Sequence, residues 1–379
     1  MARAYDNAAV ALDALDPFNV KRQLERLDGL RGVAALATDA QFLRTARRQL
    51  LPLPLIDRPQ RIDSHVFGPF DPRPAPGLNG QRIGLVGSGG SGACVALVGV
   101  KRAFEEAGIE PEAISVCSGS AIWGAMWAAG LSAQEMVDFS LSWQPQDYLD
   151  IQWSRLPRFA LSALRGFTGL AKGQALEQLF DRRLWHMSAG ETDIPLHTVV
   201  YNMDRGEVGY FGSDETPELT LGELVRIAVA LPLFVEAVRV EGDLYVDGGV
   251  VDAFPAEPLI ADGGFDRVFG MNVLLPHGLE GEDISGWEGR TGGVLDASRQ
   301  LRFAPHLELA RRSRRRLGES LTLIEPIPHE ELHGFAFYDL FLDRRRWPDL
   351  MRRGYETTIA ALEPFRRARP RSGGRARRS

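Results

Sequence analysis

Three short segments of the chain combine residue types that could do chemistry. Residues 87–92 read GSGGSG after a short apolar run, which satisfies the G-x-G-x-x-G spacing of a dinucleotide-binding turn. Ser118 lies in a turn of small residues after the next apolar run, and Asp247 begins an Asp-Gly-Gly sequence much further along. Glycine N–H groups can also hold an oxyanion, while a serine hydroxyl and a carboxylate can act as nucleophile and base. The three segments are therefore compatible with dinucleotide binding or with acyl transfer.

The dinucleotide interpretation lacks its second element. A dinucleotide-binding fold carries an acidic residue about 20 residues beyond the glycines, at the end of the second strand, where it binds the ribose. Here the second apolar run, Ala113–Val116, continues into Cys-Ser-Gly-Ser at residues 117–120 without a carboxylate. A nucleotide-binding oxidoreductase is therefore the less favoured alternative.

The serine turn and the aspartate each have a simpler interpretation when taken alone. A strand-to-helix turn exposes a serine hydroxyl above the sheet edge, at the positive end of the helix dipole. The usual spelling G-x-S-x-G is absent, however, and Ser118 or Ser120 would also serve as an ordinary helix N-cap. Asp247 followed by Gly248 is equally typical of a turn between two strands. Neither segment by itself predicts catalysis.

Taken together, in this order and spacing, the three segments resemble the patatin-like phospholipase family. The resemblance extends from about Arg82 to Phe254 and includes GVKRAFEEAGI, ALPLFVEAV and DGGVVDAFP around the motifs. It implies a serine hydrolase that cleaves acyl esters of lipids through a Ser–Asp dyad and an acyl-enzyme. It also implies a three-layer α/β/α fold and a reaction without a metal or an organic cofactor.

The same resemblance implies roles for individual residues. Ser118 is the implied nucleophile because it stands six residues before Gly124 and twelve before Gly130, as is common in the family, and Ser120 is the alternative. Asp247 is the implied second catalytic residue and takes the proton directly from the serine. The implied oxyanion hole consists of three consecutive backbone N–H groups, those of Gly89, Gly90 and Ser91.

Two positions depart from the family pattern. The family loop usually reads Gly-Gly-Gly-x-Arg-Gly, and the corresponding residues 89–94 lack the arginine. Ala253 stands where an asparagine is common. The backbone N–H groups of an oxyanion hole need the conformational freedom of glycine but no side chain, so the loop remains suited to that role. A weakly active or inactive protein that binds lipids or acyl groups on the same fold is the alternative.

The surrounding sequence alternates between short apolar runs and helical patterns. Strands are predicted at residues 82–86, 113–116, 197–201, 268–273 and 321–324, with helices over 93–107 and 120–129. This alternation predicts a mostly parallel central sheet that is covered on both faces. We expect the hydrolase domain over residues 81–363, a helical extension with a proline-rich linker over residues 1–80, and a basic, disordered tail over residues 364–379.

The bulk composition of the 379 residues narrows the classes further. A hydrophobic fraction of 44% and a formal net charge of −6 predict a soluble globular protein and argue against nucleic-acid binding. Two cysteines predict no disulfide framework and a cytoplasmic location. No apolar run matches the roughly 20 residues of a membrane-spanning helix. Arginine clusters at 311–316 and 366–378 are typical of solvated faces or tails. Peripheral contact with an anionic membrane is the alternative, and the oligomeric state stays open.

Overall fold

One mixed β-sheet lies at the centre of the molecule. The computed structural model describes residues 62–151, 169–280, 293–332 and 340–367. The strands are β1 (Ile83–Gly87), β2 (Ala113–Val116), β3 (Gly169–Ala171), β4 (Leu196–Asn202), β5 (Glu207–Gly212), β6 (Leu233–Val235), β7 (Val238–Val240), β8 (Asp243–Asp247), β9 (Arg267–Met271) and β10 (Leu321–Ile324).

The main sheet follows the order β10-β9-β1-β2-β4-β8-β7, and β5 also pairs with β4. All neighbours from β10 to β4 are parallel, whereas the pairs made by β5, β7 and β8 are antiparallel. Strands β3 and β6 form a small parallel sheet of their own. The predicted parallel arrangement is therefore confirmed at the centre, and antiparallel strands extend the sheet on one side.

Both faces of the sheet are buried, as the continuous apolar strands require. Successive side chains of a strand point to opposite faces. Leu85 belongs to one apolar cluster and its neighbour Val86 to a second one, and Phe269 and Val268 divide in the same way. The two clusters are the two cores of a three-layer α/β/α molecule, which confirms the predicted fold class.

Helices cover the two faces unequally. The α-helices are α1 (Ala96–Ala107), α2 (Gly119–Ala128), α3 (Ala133–Ser142), α4 (Pro145–Tyr148), α5 (Gln174–Arg183), α6 (Leu221–Ala228), α7 (Glu257–Asp262), α8 (Gly293–Leu317) and α9 (Trp347–Arg367). The larger core includes residues from α1, α2, α3, α5, α6 and α9, and the smaller core includes residues from α7 and α8. Helix α1 starts three residues later than predicted because residues Ser91–Val95 form a 3₁₀ turn that continues the glycine loop.

The proline-rich segment before β1 packs on the domain. Leu78 is buried in the larger core, and the N–H of Ala75 donates to the carbonyl of Ala107 at the end of α1. The carbonyl of Gly68 accepts a hydrogen bond from the Arg102 guanidinium. Residues 66–80 therefore form a strap along α1.

Several predicted segments fall wholly or partly outside the described residues. These are the helical extension up to residue 61, the tail from residue 368, and residues 152–168, which include the first part of an apolar, helix-like run predicted to begin at Arg158. Helix α9 continues through Pro364 to Arg367, so the first four residues of the predicted tail are helical. Among the described helices, none is both long enough and apolar enough to span a bilayer.

Candidate active site

Strands β2 and β8 bring the predicted serine and aspartate together. Both pair with the same edge of β4, since β5 occupies the other edge along residues 197–202. Strand β2 runs along β4 as far as Thr198, and β8 arrives from the opposite direction and ends where Asp247 pairs with Val200. The carboxyl ends of the two strands therefore meet head to head, with only Val199 between their last partners.

Ser118 occupies a strained turn directly after β2. Its backbone has φ 52° and ψ −128°, a conformation that a residue with a Cβ rarely adopts. The side chain is partly exposed, and within the described residues it makes no capping hydrogen bond to helix α2. This conformation is that of a strand-to-helix elbow rather than of the ordinary N-cap that the sequence also allowed.

Gly119 lets the elbow approach the glycine loop. A Cβ at this position would lie 2.2 Å from the carbonyl oxygen of Ser91. Because Gly119 is the first residue of α2, its N–H has no acceptor within the helix and adds to the positive end of the helix dipole. The elbow thus requires glycine here for close packing.

Asp247 lies behind the serine and is only 1% exposed. Its carboxylate accepts hydrogen bonds from the Ser118 hydroxyl and, at 2.8 Å, from the N–H of Gly249. Burial raises the pKa of Asp247 to about 6, and the two hydrogen bonds oppose that rise. At neutral pH the group is therefore mostly ionised and remains basic enough to accept a proton.

The glycine loop faces this pair, but its three predicted amides differ. The N–H of Gly89 donates to the carbonyl of Ala253 at 2.9 Å, so it is engaged in holding the loop. For the N–H groups of Gly90 and Ser91, the described parts of the chain supply no acceptor. Ser91 has φ 53°, and a Cβ at Gly90 would lie 2.4 Å from Cγ2 of Val273. The loop conformation thus leaves two consecutive amides free.

Ser120 and Cys117, which lie close to Ser118 in the sequence, have structural roles. Ser120, the alternative nucleophile, is fully buried, and its hydroxyl donates to the carbonyl of Ser88 at 2.5 Å. Cys117 is also fully buried, and a Cβ at Gly89 or Gly249 would come within 3.1 Å or 2.8 Å of its sulfur. Burial raises the pKa of this thiol well above its ordinary value, so the thiol stays protonated and does not form the reactive thiolate.

Sequence reasoning missed Asp252, a partly buried carboxyl near the Ser118–Asp247 pair. Asp252 accepts hydrogen bonds from the N–H of Phe254 at 3.0 Å and from the hydroxyl of Tyr210. Burial raises its pKa to about 6 as well. An acidic residue within the apolar run VVDAFP was the available signal, because a charge is costly there without partners.

The described residues offer no metal site, and three of their histidines have partners of their own. The described residues contain no cluster of three His, Cys, Asp or Glu side chains suited to a metal ion. His197 pairs with Glu215, His277 binds the carbonyl of Ile327, and His306 binds the backbone of Val251. Within the described residues, the Ser118 hydroxyl is thus paired with the Asp247 carboxylate and not with a histidine.

Comparison with known proteins agrees with this geometry. Residues 85–260 match the family model of the patatin-like phospholipases, a range that includes the glycine loop, the elbow and the aspartate. This part of the chain is a patatin-like phospholipase domain. The family predicted from the sequence is confirmed for these residues.

Individual relatives of the patatin-like domain are distant. A protein of Acanthamoeba polyphaga mimivirus described as uncharacterised is 24% identical over 193 residues, which are 48% of this chain and 63% of that protein. VipD from Legionella pneumophila is 15% identical with a TM-score of 0.44 over 75% of this chain and 67% of its own. Human GIVD cytosolic phospholipase A2 is 11% identical with a TM-score of 0.38, over 86% and 63%. This chain thus spans less than two thirds of its mimivirus relative.

Proposed function

We propose that the protein hydrolyses acyl esters of lipids through an acyl-enzyme formed on Ser118. The observation that carries the proposal is the hydrogen bond between the Ser118 hydroxyl and the buried Asp247 carboxylate, beside the free amides of the glycine loop. Nucleophile, base and oxyanion donors are the three parts that acyl transfer needs. Membership of the patatin-like family supports the choice of lipid esters as substrates.

The first half of the proposed reaction forms the acyl-enzyme. Ser118 Oγ bonds to the ester carbonyl carbon while its proton passes to the Asp247 carboxylate. The N–H groups of Gly90 and Ser91 donate hydrogen bonds to the oxyanion, and the N-terminus of α2 adds its dipole. The bond to the alkoxide then breaks, and Asp247 returns the proton to the leaving alcohol. In this proposal the oxyanion hole has two amides instead of the three predicted, since the N–H of Gly89 already donates to the carbonyl of Ala253.

The second half of the proposed reaction restores the enzyme. A water molecule gives its proton to Asp247 as its oxygen bonds to the acyl carbon. The second tetrahedral oxyanion uses the same amides and then releases the carboxylic acid, while Asp247 reprotonates Ser118. A histidine usually acts as base because its pKa lies near neutrality. Burial brings the pKa of Asp247 to about 6 and so gives it the same capacity.

The test of the function compares the protein with its Ser118→Ala variant on p-nitrophenyl esters of increasing chain length. We expect the variant to lose about 10⁶-fold in kcat, as removal of the serine nucleophile does in subtilisin. A fluorophosphonate probe should label the wild-type protein and the Ser120→Ala variant, because the Ser120 hydroxyl is buried, but not Ser118→Ala. Hydrolysis that survives in Ser118→Ala would refute the nucleophile. If the wild-type protein neither hydrolyses the esters nor reacts with the fluorophosphonate, the result would favour the alternative of a binding protein on the same fold.

We further propose that the tail beyond Arg367 contacts anionic membranes. In the other arginine cluster, Arg312 and Arg315 pair with Glu308, so much of its charge is neutralised locally. Each basic residue near an anionic surface contributes about 1 kcal/mol of attraction. A chain that ends after Arg367 should sediment less with anionic vesicles than the full chain, and equal sedimentation would exclude the tail.

A further inference from the structure

A short segment after the catalytic aspartate connects all three parts of the proposed site. The carbonyl of Ala253 accepts the N–H of Gly89 at 2.9 Å and so holds the glycine loop. The carbonyl of Pro255 accepts the hydroxyl of Ser115 at 2.5 Å, in the strand that leads to Ser118. A 3₁₀ turn joins the same segment to Asp247. Any shift of residues 252–255 would therefore move the base and the oxyanion amides relative to the nucleophile.

The side chain of Asp252 fixes this segment to the sheet. It accepts the N–H of Phe254 and the hydroxyl of Tyr210, which lies on β5. In the pairing of β5 with β4, Tyr210 stands opposite Val199, the residue between the ends of β2 and β8. The hydrogen bond between Tyr210 and Asp252 thus connects β5, at the far edge of β4, to the segment that holds the glycine loop.

We propose that Tyr210 and Asp252 are a positioning pair that keeps the glycine loop and Asp247 in register with Ser118. The inference rests on the proposed hydrolase function and adds two residues that do not touch the reacting atoms. Ala253, where the family commonly has an asparagine, offers no side-chain hydrogen bond, and the neighbouring Asp252 supplies one instead. Correct placement of reacting groups is worth up to about 100-fold in rate per ångström.

The charged groups around Asp252 determine how the pair responds to pH. Burial raises the pKa of Asp252 to about 6, and the nearby Glu257, itself paired with Arg316, contributes to that rise. The Cys117 thiol faces the carboxyl, and His306 binds the backbone of Val251 next to it. The Tyr210 hydroxyl stabilises the ionised form. Removing the hydroxyl should therefore raise the pKa of Asp252 further.

The test uses Tyr210→Phe and Asp252→Asn, with Tyr201→Phe as the matched control. Tyr201 lies on the neighbouring strand β4, and within the described residues its hydroxyl has no hydrogen-bond partner. Turnover of a soluble p-nitrophenyl ester is measured per active site titrated with a fluorophosphonate, so that unfolded protein does not count. We expect kcat to fall about 10-fold in Tyr210→Phe, with KM nearly unchanged, through misplacement of the reacting groups.

Two further results are expected from the same variants. Asp252→Asn, which keeps a hydrogen-bond acceptor for Tyr210, loses less activity than Asp252→Ala. The double variant Tyr210→Phe/Asp252→Asn is no slower than the slower single variant, because the two residues act as one unit.

The outcomes separate this inference from the proposed function. In one outcome, wild-type hydrolysis depends on Ser118, but Tyr210→Phe and Asp252→Asn are as fast per titrated site as Tyr201→Phe. This outcome would overturn the positioning pair alone. Wild-type protein without Ser118-dependent hydrolysis would overturn the proposed function, and the pair with it. Variants that only unfold at lower temperature, with unchanged kcat per titrated site, would also overturn the positioning role.

Discussion

The Ser118–Asp247 pair shows what burial does to a single carboxyl group. Asp247 has almost no contact with solvent, so its charged form is disfavoured and its pKa rises to about 6. Two hydrogen bonds limit this rise, and one of them comes from the Ser118 hydroxyl. A carboxyl group in this environment is basic enough to take a proton near neutral pH and acidic enough to return it to the leaving group.

The pH dependence of catalysis should follow the ionisation of Asp247. The base must be deprotonated, so kcat/KM should fall as the pH drops through about 6. At one unit below that pKa, the rate should be about 10-fold lower than the plateau. A pH–rate profile on a soluble ester measures this limb. A profile that stays flat down to pH 4 would mean that another group accepts the proton.

Replacing Asp247 by Asn should abolish hydrolysis and stabilise the protein at neutral pH. The folded-state pKa of about 6 lies above the ordinary aspartate value of 3.8, so the folded protein binds the proton more tightly than the unfolded chain. Wild-type stability therefore decreases as the pH rises from about 4 to 6, and an uncharged amide avoids this loss. The difference should reach at most about 3 kcal/mol at pH 7.

Denaturant unfolding at several pH values tests the stability effect of Asp247→Asn. The advantage of the variant should disappear below about pH 4, where the aspartate is protonated in both states. A variant that is less stable than wild type at pH 7 would contradict the expected sign.

At the scale of elements, the ends of strands and helices determine where strain and exposure occur. The elbow after β2 uses Ser118 at a positive φ, and the end of α5 uses Trp185 in a similar way. Trp185 has φ 54°, and the N–H of His186 donates to the carbonyl of Asp181, which is the hydrogen bond of a Schellman motif. Glycine is the usual residue at this position because it has no Cβ.

Replacing Trp185 by Gly should stabilise the protein. The indole is 89% exposed, so little packing is lost, and the left-handed backbone costs a residue with a Cβ about 1 kcal/mol. We expect a gain of up to about 1 kcal/mol in unfolding free energy and unchanged kcat on soluble esters. Denaturant unfolding of Trp185→Gly measures the gain. Phe70→Gly is the control, since Phe70 is also exposed but has no positive φ, and a similar gain there would contradict the argument.

At the scale of the whole molecule, a buried ion-pair network joins segments from both ends of the chain. Glu106 in α1 is 3% exposed and accepts hydrogen bonds from Arg102 at 2.8 Å and from the Tyr355 hydroxyl of α9 at 2.6 Å. It also accepts the backbone N–H of Asp71 in the strap. The proline-rich strap and α9 are therefore both tied to α1.

Replacing Glu106 by Ala should destabilise the protein without changing its chemistry. The substitution leaves the buried Arg102 guanidinium without its carboxylate, and breaking such a pair costs about 3 kcal/mol. Glu110→Ala removes an exposed partner of Lys101 and should cost less than about 1 kcal/mol. Thermal unfolding and kcat per titrated site measure the two effects. Similar losses of stability in both variants would contradict a special role of the network.

The sequence by itself determined several central elements and the family. The strands at 113–116 and 321–324 have the predicted bounds, and α1 ends at Gly108 in the left-handed conformation, because apolar runs and glycine caps act locally. The order of glycine loop, serine turn and Asp-Gly-Gly identified the family for the same reason. Each motif is a local conformational requirement that the residue types reveal.

Only the tertiary structure decided which groups meet. The register of β2 and β8 on one edge of β4 brings Ser118 and Asp247 together. Packing buries Ser120, engages the N–H of Gly89 with a carbonyl far away in sequence, and joins Asp252 to Tyr210. These pairings depend on long-range strand register and burial, which also raise the pKa of Asp247, and no local pattern of residues encodes them.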